Sequence, residues 1–240
     1  MAHILYLWND LSLFCKDKFR VERIWKKFGK YLNSENKKTK EQRWYCFGTG
    51  IVDEWINEFS FNEDTFLICL GTRPAICLNR KGVNKYLHIK PQRIRTENGA
   101  TGHIEITPIE NQLLEEGCKK ANQKIYIIED AIVNGKTIQF LLNQIEKVGF
   151  RGEVVVKVLF GNKEVICGFQ DKYPFDVTFI VKEWMQGTPI KESTLICMHD
   201  LLYGLISEGT YYYERIDLLE RFIPNSKGKL YFLIKECREL

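Results

Sequence analysis

The chain has 240 residues, 45% hydrophobic and 28% charged, with a formal net charge of +4. That size suits one large α/β domain or a domain with an elaborated cap, and the composition lies in the ordinary globular range, outside the disordered one. The mild positive charge suits an anionic small molecule and, without a patterned basic face, argues against nucleic acid.

Along the chain, residues 1–45 read as an N-terminal appendage. Phe19, Ile24, Trp25 and Phe28 recur at helical spacing within Phe19–Tyr31. Asn33–Glu41 is a Lys-rich polar loop, read as a solvated face. The segment Phe47 to Gly50 leads into a helix over Ile51–Phe59, with Ile51, Val52, Trp55, Ile56 and Phe59 inward. Thr65–Leu70 is a short apolar strand ending at Gly71, Thr72, Arg73 and Pro74, and Ala75–Leu78 starts either a strand or a helical turn. Strands at Tyr86–Ile89 and Gly102–Thr107 flank a polar hairpin, Lys90–Ala100, which carries Arg93, Arg95, Asn98 and Gly99. Asn111–Asn122 is a helix and Lys124–Glu129 a buried strand. Thr137–Val148 is a strongly amphipathic helix, with Ile138, Leu141, Leu142, Ile145 and Val148 on one face and Gly149 as its C-cap. Glu153–Phe160 and Asp176–Val181 are further apolar strands. The tail beyond His199 is mixed, with a helix expected near Tyr211–Phe222 and an apolar run at Leu230–Ile234.

Strands alternating with helices argue for an α/β fold with a mainly parallel central sheet flanked by helices. The expected division is an appendage at 1–45, an α/β core at 46–198 and a C-terminal segment at 199–240. The eight cysteines form no CxxC pair, and several sit in apolar runs such as Leu67 to Leu70, where cysteine acts as a small buried hydrophobe. They read as reduced thiols of a cytoplasmic protein. The four histidines make no metal spacing. No apolar stretch reaches the roughly 18 residues of a membrane span, and no signal peptide is evident at the N-terminus.

The chemistry concentrates in Ile125 to Thr137. A buried strand delivers two acids, Glu129 and Asp130, at its C-terminal end, the edge where open α/β sheets bind ligands. A short loop then enters a helix at Thr137. Gly135 permits close backbone approach, and the first helical N–H groups form an anion site. Two carboxylates beside a phosphate would repel it, so hydroxyls or a cation must stand between them. A ribose with two hydroxyls and a bridging Mg²⁺ meets that need. Gly135, Lys136 and Thr137 also end like a Walker A motif. That motif needs a glycine where Asp130 stands, and a carboxylate there opposes a triphosphate.

This stretch resembles the 5-phosphoribosyl-1-diphosphate (PRPP) motif of type I phosphoribosyltransferases, and is most similar to the hypoxanthine–guanine branch, which also has Glu-Asp and ends in Gly-Lys-Thr. The resemblance implies that Glu129 and Asp130 meet the ribose hydroxyls directly or through Mg²⁺. It implies that Val133, Asn134, Gly135, Lys136 and Thr137 wrap the 5-phosphate. Gly71 and Thr72, with Arg73, are placed like the family's pyrophosphate loop, and Arg93 and Arg95 like its closing hairpin. Trp184 is placed to stack on a flat acceptor, as are Tyr211 to Tyr213, with packing the competing role for both. The terminal segments would be the variable hood. Val133 departs from the pattern, since the purine-salvage branch has an acid there, and Asn134 replaces the usual Thr.

The resemblance implies an Mg²⁺-dependent enzyme that transfers 5-phosphoribosyl from PRPP to a small nitrogen acceptor, or the reverse, in a family that often forms homodimers. The alternatives are a non-catalytic PRPP- or nucleotide-binding regulator of the same fold and, more remotely, a P-loop NTPase.

Overall fold

The computed structural model describes residues 4–36, 43–61, 65–95, 101–120, 124–169, 171–189, 192–201, 219–220, 223 and 225–230. In chain order its elements are β1 (Ile4–Trp8), α1 (Leu11–Phe14), α2 (Lys18–Asn36), β2 (Arg43–Phe47), α3 (Gly50–Asn57), β3 (Phe66–Leu70), α4 (Thr72–Arg80), β4 (Leu87–Ile89), β5 (Gln92–Arg95), β6 (Thr101–Glu105), α5 (Pro108–Lys120), β7 (Lys124–Ile132), α6 (Lys136–Lys147), β8 (Glu153–Asn162), α7 (Lys163–Cys167), β9 (Asp176–Met185), β10 (Ser193–Cys197) and α8 (Ser226–Lys229). Two compact units result, Val52–Gln186 and the pair of segments Met1–Ile51 and Gly187–Leu240.

The Val52–Gln186 unit is built on a five-stranded sheet of order β4-β3-β7-β8-β9, parallel at every pairing. The central strands β7 and β8 are near-continuous apolar runs, as burial on both faces requires. One face packs Ile125, Ile127, Val154, Val156 and Val158 against Ile138, Leu141, Leu142 and Ile145 of α6. Those four α6 residues fall on one stripe because they recur at three- and four-residue spacing. Gly149, at φ 81°, ends that helix. β5 and β6 form a separate antiparallel hairpin.

The chain leaves β3 through α4 towards β4 and leaves β7 through α6 towards β8, in opposite directions across the sheet. The strand order therefore reverses between β3 and β7. Right-handed crossovers running in opposite directions put α4 and α6 on opposite faces and open a crevice at the C-terminal ends of these two strands.

The other unit has its own three-stranded parallel sheet, β10-β1-β2. Val21, Ile24, Phe28 and Leu32 of α2 pack on Leu5 and Leu7 of β1. Asp10 Oδ1 accepts the His199 backbone N–H at 2.8 Å, tying the ends of β1 and β10.

Several boundaries differ from the sequence expectation. Phe19 is 87% exposed, because it sits about 140° around the helix from Ile24 at 100° per residue. Val21 takes the inward place. Ala75–Leu78 lies inside α4, which already starts at Thr72. β7 runs through Ile132, and β9 through Met185. The units divide at 51/52 and 186/187, where the sequence suggested 45/46 and 198/199. The hairpin tip at 96–100, Tyr211 to Tyr213 and the run beyond Leu230 lie outside the described residues, and of the tail helix expected near Tyr211–Phe222 the structure describes Leu219 and Glu220, both helical. Among the described residues no helix is long and apolar enough to cross a membrane.

Candidate functional site

β7 lies between β3 and β8, so its C-terminal end stands at the strand-order reversal. Glu129 pairs with Leu70 on one side and Val158 on the other. Beyond it, Ala131 and Ile132 continue the ladder with Phe160 and Gly161, while Asp130 has no register partner. The two acids are thus held by a strand, not a loop. Glu129 is 8% exposed, and Asp130 is half-buried on the opposite face of the strand, as strand alternation requires. A Walker-type loop would have to curve through residues 130 to 132, which here belong to β7, with Ala131 and Ile132 paired to β8.

The turn into α6 is Val133, Asn134 and Gly135. Asn134 is exposed, and its Oδ1 accepts the Lys136 N–H at 3.2 Å. Gly135 adopts φ 72°, in the left-handed region. A Cβ there would also lie 2.5 Å from Val165 Cγ1 and 3.1 Å from the Phe169 ring. Backbone conformation and close packing therefore both demand glycine. Lys136 is exposed, while Thr137 is half-buried in the first turn. Gly135 brings no side chain to cap α6; the first amide, Lys136 N–H, goes to Asn134 Oδ1, and the following amides of the first turn are without an intrahelical acceptor.

The second arm comes from β3. Gly71, at φ 95° and ψ −179°, is the N-cap of α4, and Thr72 and Arg73 open the helix. The expected pyrophosphate loop is thus a glycine pivot followed at once by a helix N-terminus. Arg73 reaches across the crevice: its Nη1 lies 3.6 Å from Asp130 Oδ2, with both side chains 16% exposed. The fold therefore joins two sequence-nominated residues from different strand–helix units.

Two thiols border this pair and stay protonated. Burial pushes Cys77 up to about 12, with Asp130 adding to the rise and Arg80 opposing it. Burial raises Cys69 as well, followed by Glu129. Neither supplies a thiolate nucleophile near neutral pH.

The remaining nominated residues are dispersed. Arg93 and Arg95 lie on β5, opposite Ile104 and Thr101 of β6; their side chains are outside the described residues. Trp184 is inside β9, beside Gly161 in register, and 44% exposed. It stands on the edge strand, two strands from β7.

Sequence reasoning missed His88. Its Nε2 lies 2.8 Å from the Gly71 carbonyl oxygen. An isolated histidine in a short strand gives no signal of this contact, which exists only because β4 pairs with β3. Asn162, fully buried at the end of β8, was also missed; its Oδ1 accepts the Val165 N–H at 3.1 Å and starts α7.

Among the described residues no group of three or more His, Cys, Asp and Glu side chains is arranged to hold a metal. Asp130, the more exposed of the two acids, could offer a hard cation such as Mg²⁺ a carboxylate oxygen beside waters and substrate oxygens, whereas Glu129 lies on the other face of the strand.

No family model matches the chain, and no curated protein matches it. Among solved structures it is similar to a hypothetical protein from Neisseria gonorrhoeae with bound ppGpp, at 12% identity over 72% of this chain and 90% of that one, with a TM-score of 0.42. It is similar to a hypoxanthine phosphoribosyltransferase from Staphylococcus aureus at 11% identity, over 57% and 72% of the two chains, TM-score 0.34. An adenine phosphoribosyltransferase from Thermoanaerobacter pseudethanolicus gives 12%, over 57% and 79%, TM-score 0.33.

Proposed function

We propose that the chain is a phosphoribosyltransferase that takes PRPP in the crevice between the C-terminal ends of β3 and β7. The observation that carries this reading is the Arg73–Asp130 contact at the strand-order reversal. In this reading it sets a cation that would meet the diphosphate beside a carboxylate that would meet the ribose. The N-termini of α4 and α6 follow those same two strands and supply two anion-binding ends.

In this reading the α6 end, with Asn134, Gly135, Lys136 and Thr137, holds the 5-phosphate. Glu129 and Asp130 take the ribose hydroxyls, and Gly71, Thr72 and Arg73 take the diphosphate. The C1–O bond to the diphosphate breaks, and a C1–N bond to the acceptor forms. Arg73 stabilises the charge growing on the leaving group, and the acids stabilise the electron-poor ribose. Mg²⁺, held by Asp130 with waters and substrate oxygens, would supply further charge neutralisation. The free, buried Cys69, Cys77 and Cys118 fit a reducing, cytoplasmic setting.

A second reading is a binding protein that holds PRPP or a nucleotide without turnover. It is favoured by Val133, which puts an apolar side chain in the α6 turn where the purine-salvage resemblance calls for an acid.

Pyrophosphate release from PRPP and Mg²⁺, assayed against a panel of purine, pyrimidine and amine acceptors, tests the reading. Release with one acceptor, lost in Asp130→Asn, is the expected outcome. PRPP binding without release on any acceptor supports the regulator, and near wild-type release in Asp130→Asn removes the role given to that carboxylate.

A further inference from the structure

Both peptide units that flank the Gly71 Cα are held from one side by β4. The Gly71 N–H donates to the Ile89 carbonyl at 2.9 Å. The Gly71 carbonyl oxygen lies 2.8 Å from His88 Nε2 and 3.7 Å from Cys69 Sγ. A carbonyl only accepts, so a hydrogen bond here requires the ring N–H to sit on Nε2.

The glycine needs this restraint. At φ 95° and ψ −179° it occupies a region open essentially to glycine alone, and glycine is the residue that leaves such a region most readily. A Cβ added there would meet no atom within 4 Å, so conformation and not space selects the residue.

The direction of the restraint matters for ligand binding. In a planar trans peptide the N–H points opposite to the preceding C=O. Anchoring the Gly71 carbonyl on β4 therefore turns the Thr72 N–H away from β4. β4 and β7 flank β3 on opposite sides, so that N–H is turned to the side of the crevice. Arg73, the next residue, reaches the same side, as its contact with Asp130 shows. The ring is itself steadied: Tyr86 meets it edge-on at 6.2 Å and donates its hydroxyl to Asn79 Oδ1 of α4 at 2.9 Å.

We propose that His88 is a positioning residue for diphosphate binding, acting through the Gly71 carbonyl to aim the Thr72 N–H into the crevice. This rests on the phosphoribosyl reading above for the identity of the ligand. His88 does not touch the ligand, and its contribution is confined to the diphosphate end.

Calorimetry on the full chain with Mg²⁺ and two probes, inorganic pyrophosphate and ribose 5-phosphate, separates this role from a general loss of structure. His88→Phe keeps an aromatic ring beside Tyr86 and removes the donor. Its pyrophosphate affinity is expected to fall about tenfold, the size of one net hydrogen bond, with ribose 5-phosphate affinity unchanged. His88→Gln, which places an N–H donor at similar reach, is expected to restore most of the loss. Equal weakening of both probes, or unchanged pyrophosphate affinity, overturns the proposal. A wild-type chain that binds neither probe overturns the phosphoribosyl reading and the diphosphate role with it. The geometric clamp has its own readout, which needs no variant and no ligand: the ¹⁵N shifts of the His88 ring. A protonated Nε2 supports it, and a neutral ring protonated only on Nδ1 overturns it even if the ligand reading survives.

Discussion

Arg73 Nη1 and Asp130 Oδ2 lie 3.6 Å apart across the point where the strand order reverses, each side chain 16% exposed. Neither residue is near the other in sequence: Arg73 follows β3, and Asp130 lies near the C-terminal end of β7. The contact keeps an arginine beside Asp130. Under the proposed phosphoribosyl reading, a diphosphate would compete with Asp130 for the guanidinium and release the carboxylate towards the ribose.

Arg73→Ala should weaken pyrophosphate binding by roughly 10- to 100-fold, the range for a charge-assisted contact. It should cost folding stability about 1–2 kcal/mol, less than breaking a fully buried pair, because both side chains keep some solvent contact. Calorimetry and urea denaturation read the two effects separately. A large stability loss with intact binding would mean that the pair is structural.

Gly135→Ala should destabilise the chain by about 2–4 kcal/mol. That sums the left-handed backbone penalty for a Cβ and overpacking against Val165. Val165→Ala in the same chain should recover part of the loss, since it removes the Val165 Cγ1 atom that an added Cβ would meet at 2.5 Å. Denaturant midpoints of the two single variants and the double variant check this. Additive losses would show that the side-chain collision is not the cause.

Alkaline pH should destabilise the fold from about pH 9 upward. Burial raises the folded-state values of Cys77 and Cys118 from 9.0 to about 12. The folded chain then holds protons that the unfolded chain has released, so stability is complete below the unfolded value and falls as pH rises towards the folded one. Melting temperatures measured under reducing conditions between pH 8 and 11 should decline, and less steeply in Cys118→Ala. Parallel declines in both chains would exclude Cys118 as a source.

Lys157 sits on β8 with its ammonium group 5.5, 5.6 and 5.7 Å from the rings of Phe59, Phe61 and Tyr126. It donates to the Glu58 carbonyl at 3.3 Å. Burial lowers its folded-state value, with Glu58 partly opposing. In the window between that lowered value and 10.5 the unfolded chain binds the extra proton, so this group alone makes stability rise with pH there. Lys157→Met should lose that increment. It should also be at least as stable as the parent at pH 7, because an apolar thioether suits the aromatic surroundings without desolvating a charge. A drop of more than about 1 kcal/mol would show that the cation–π contacts outweigh desolvation.

Much of the site was legible because its signals are local. Four apolar residues followed by Glu129 and Asp130 mark a strand arriving at a sheet edge, and the spacing of Ile138, Leu141, Leu142 and Ile145 marks the helix that leaves it. The extent of β7 was not legible. Ala131 and Ile132 look like loop residues until Phe160 and Gly161 of β8 offer them ladder partners. The start of α4 at Thr72 was missed for a related reason: Gly71 is a helix N-cap only because β4 anchors its peptide.

By itself the sequence determined the alternation of strands and helices, the acids at the end of β7 and the glycine before α6. Each depends on periodicity or backbone freedom within a few residues. Only the tertiary structure decided the strand order, and with it the meeting of Arg73 with Asp130, the hold of His88 on Gly71 and the pairing of β1 with β10. Those contacts join residues far apart along the chain. They are fixed by which strand lies beside which, a choice made by packing a whole sheet rather than by any local run of side chains.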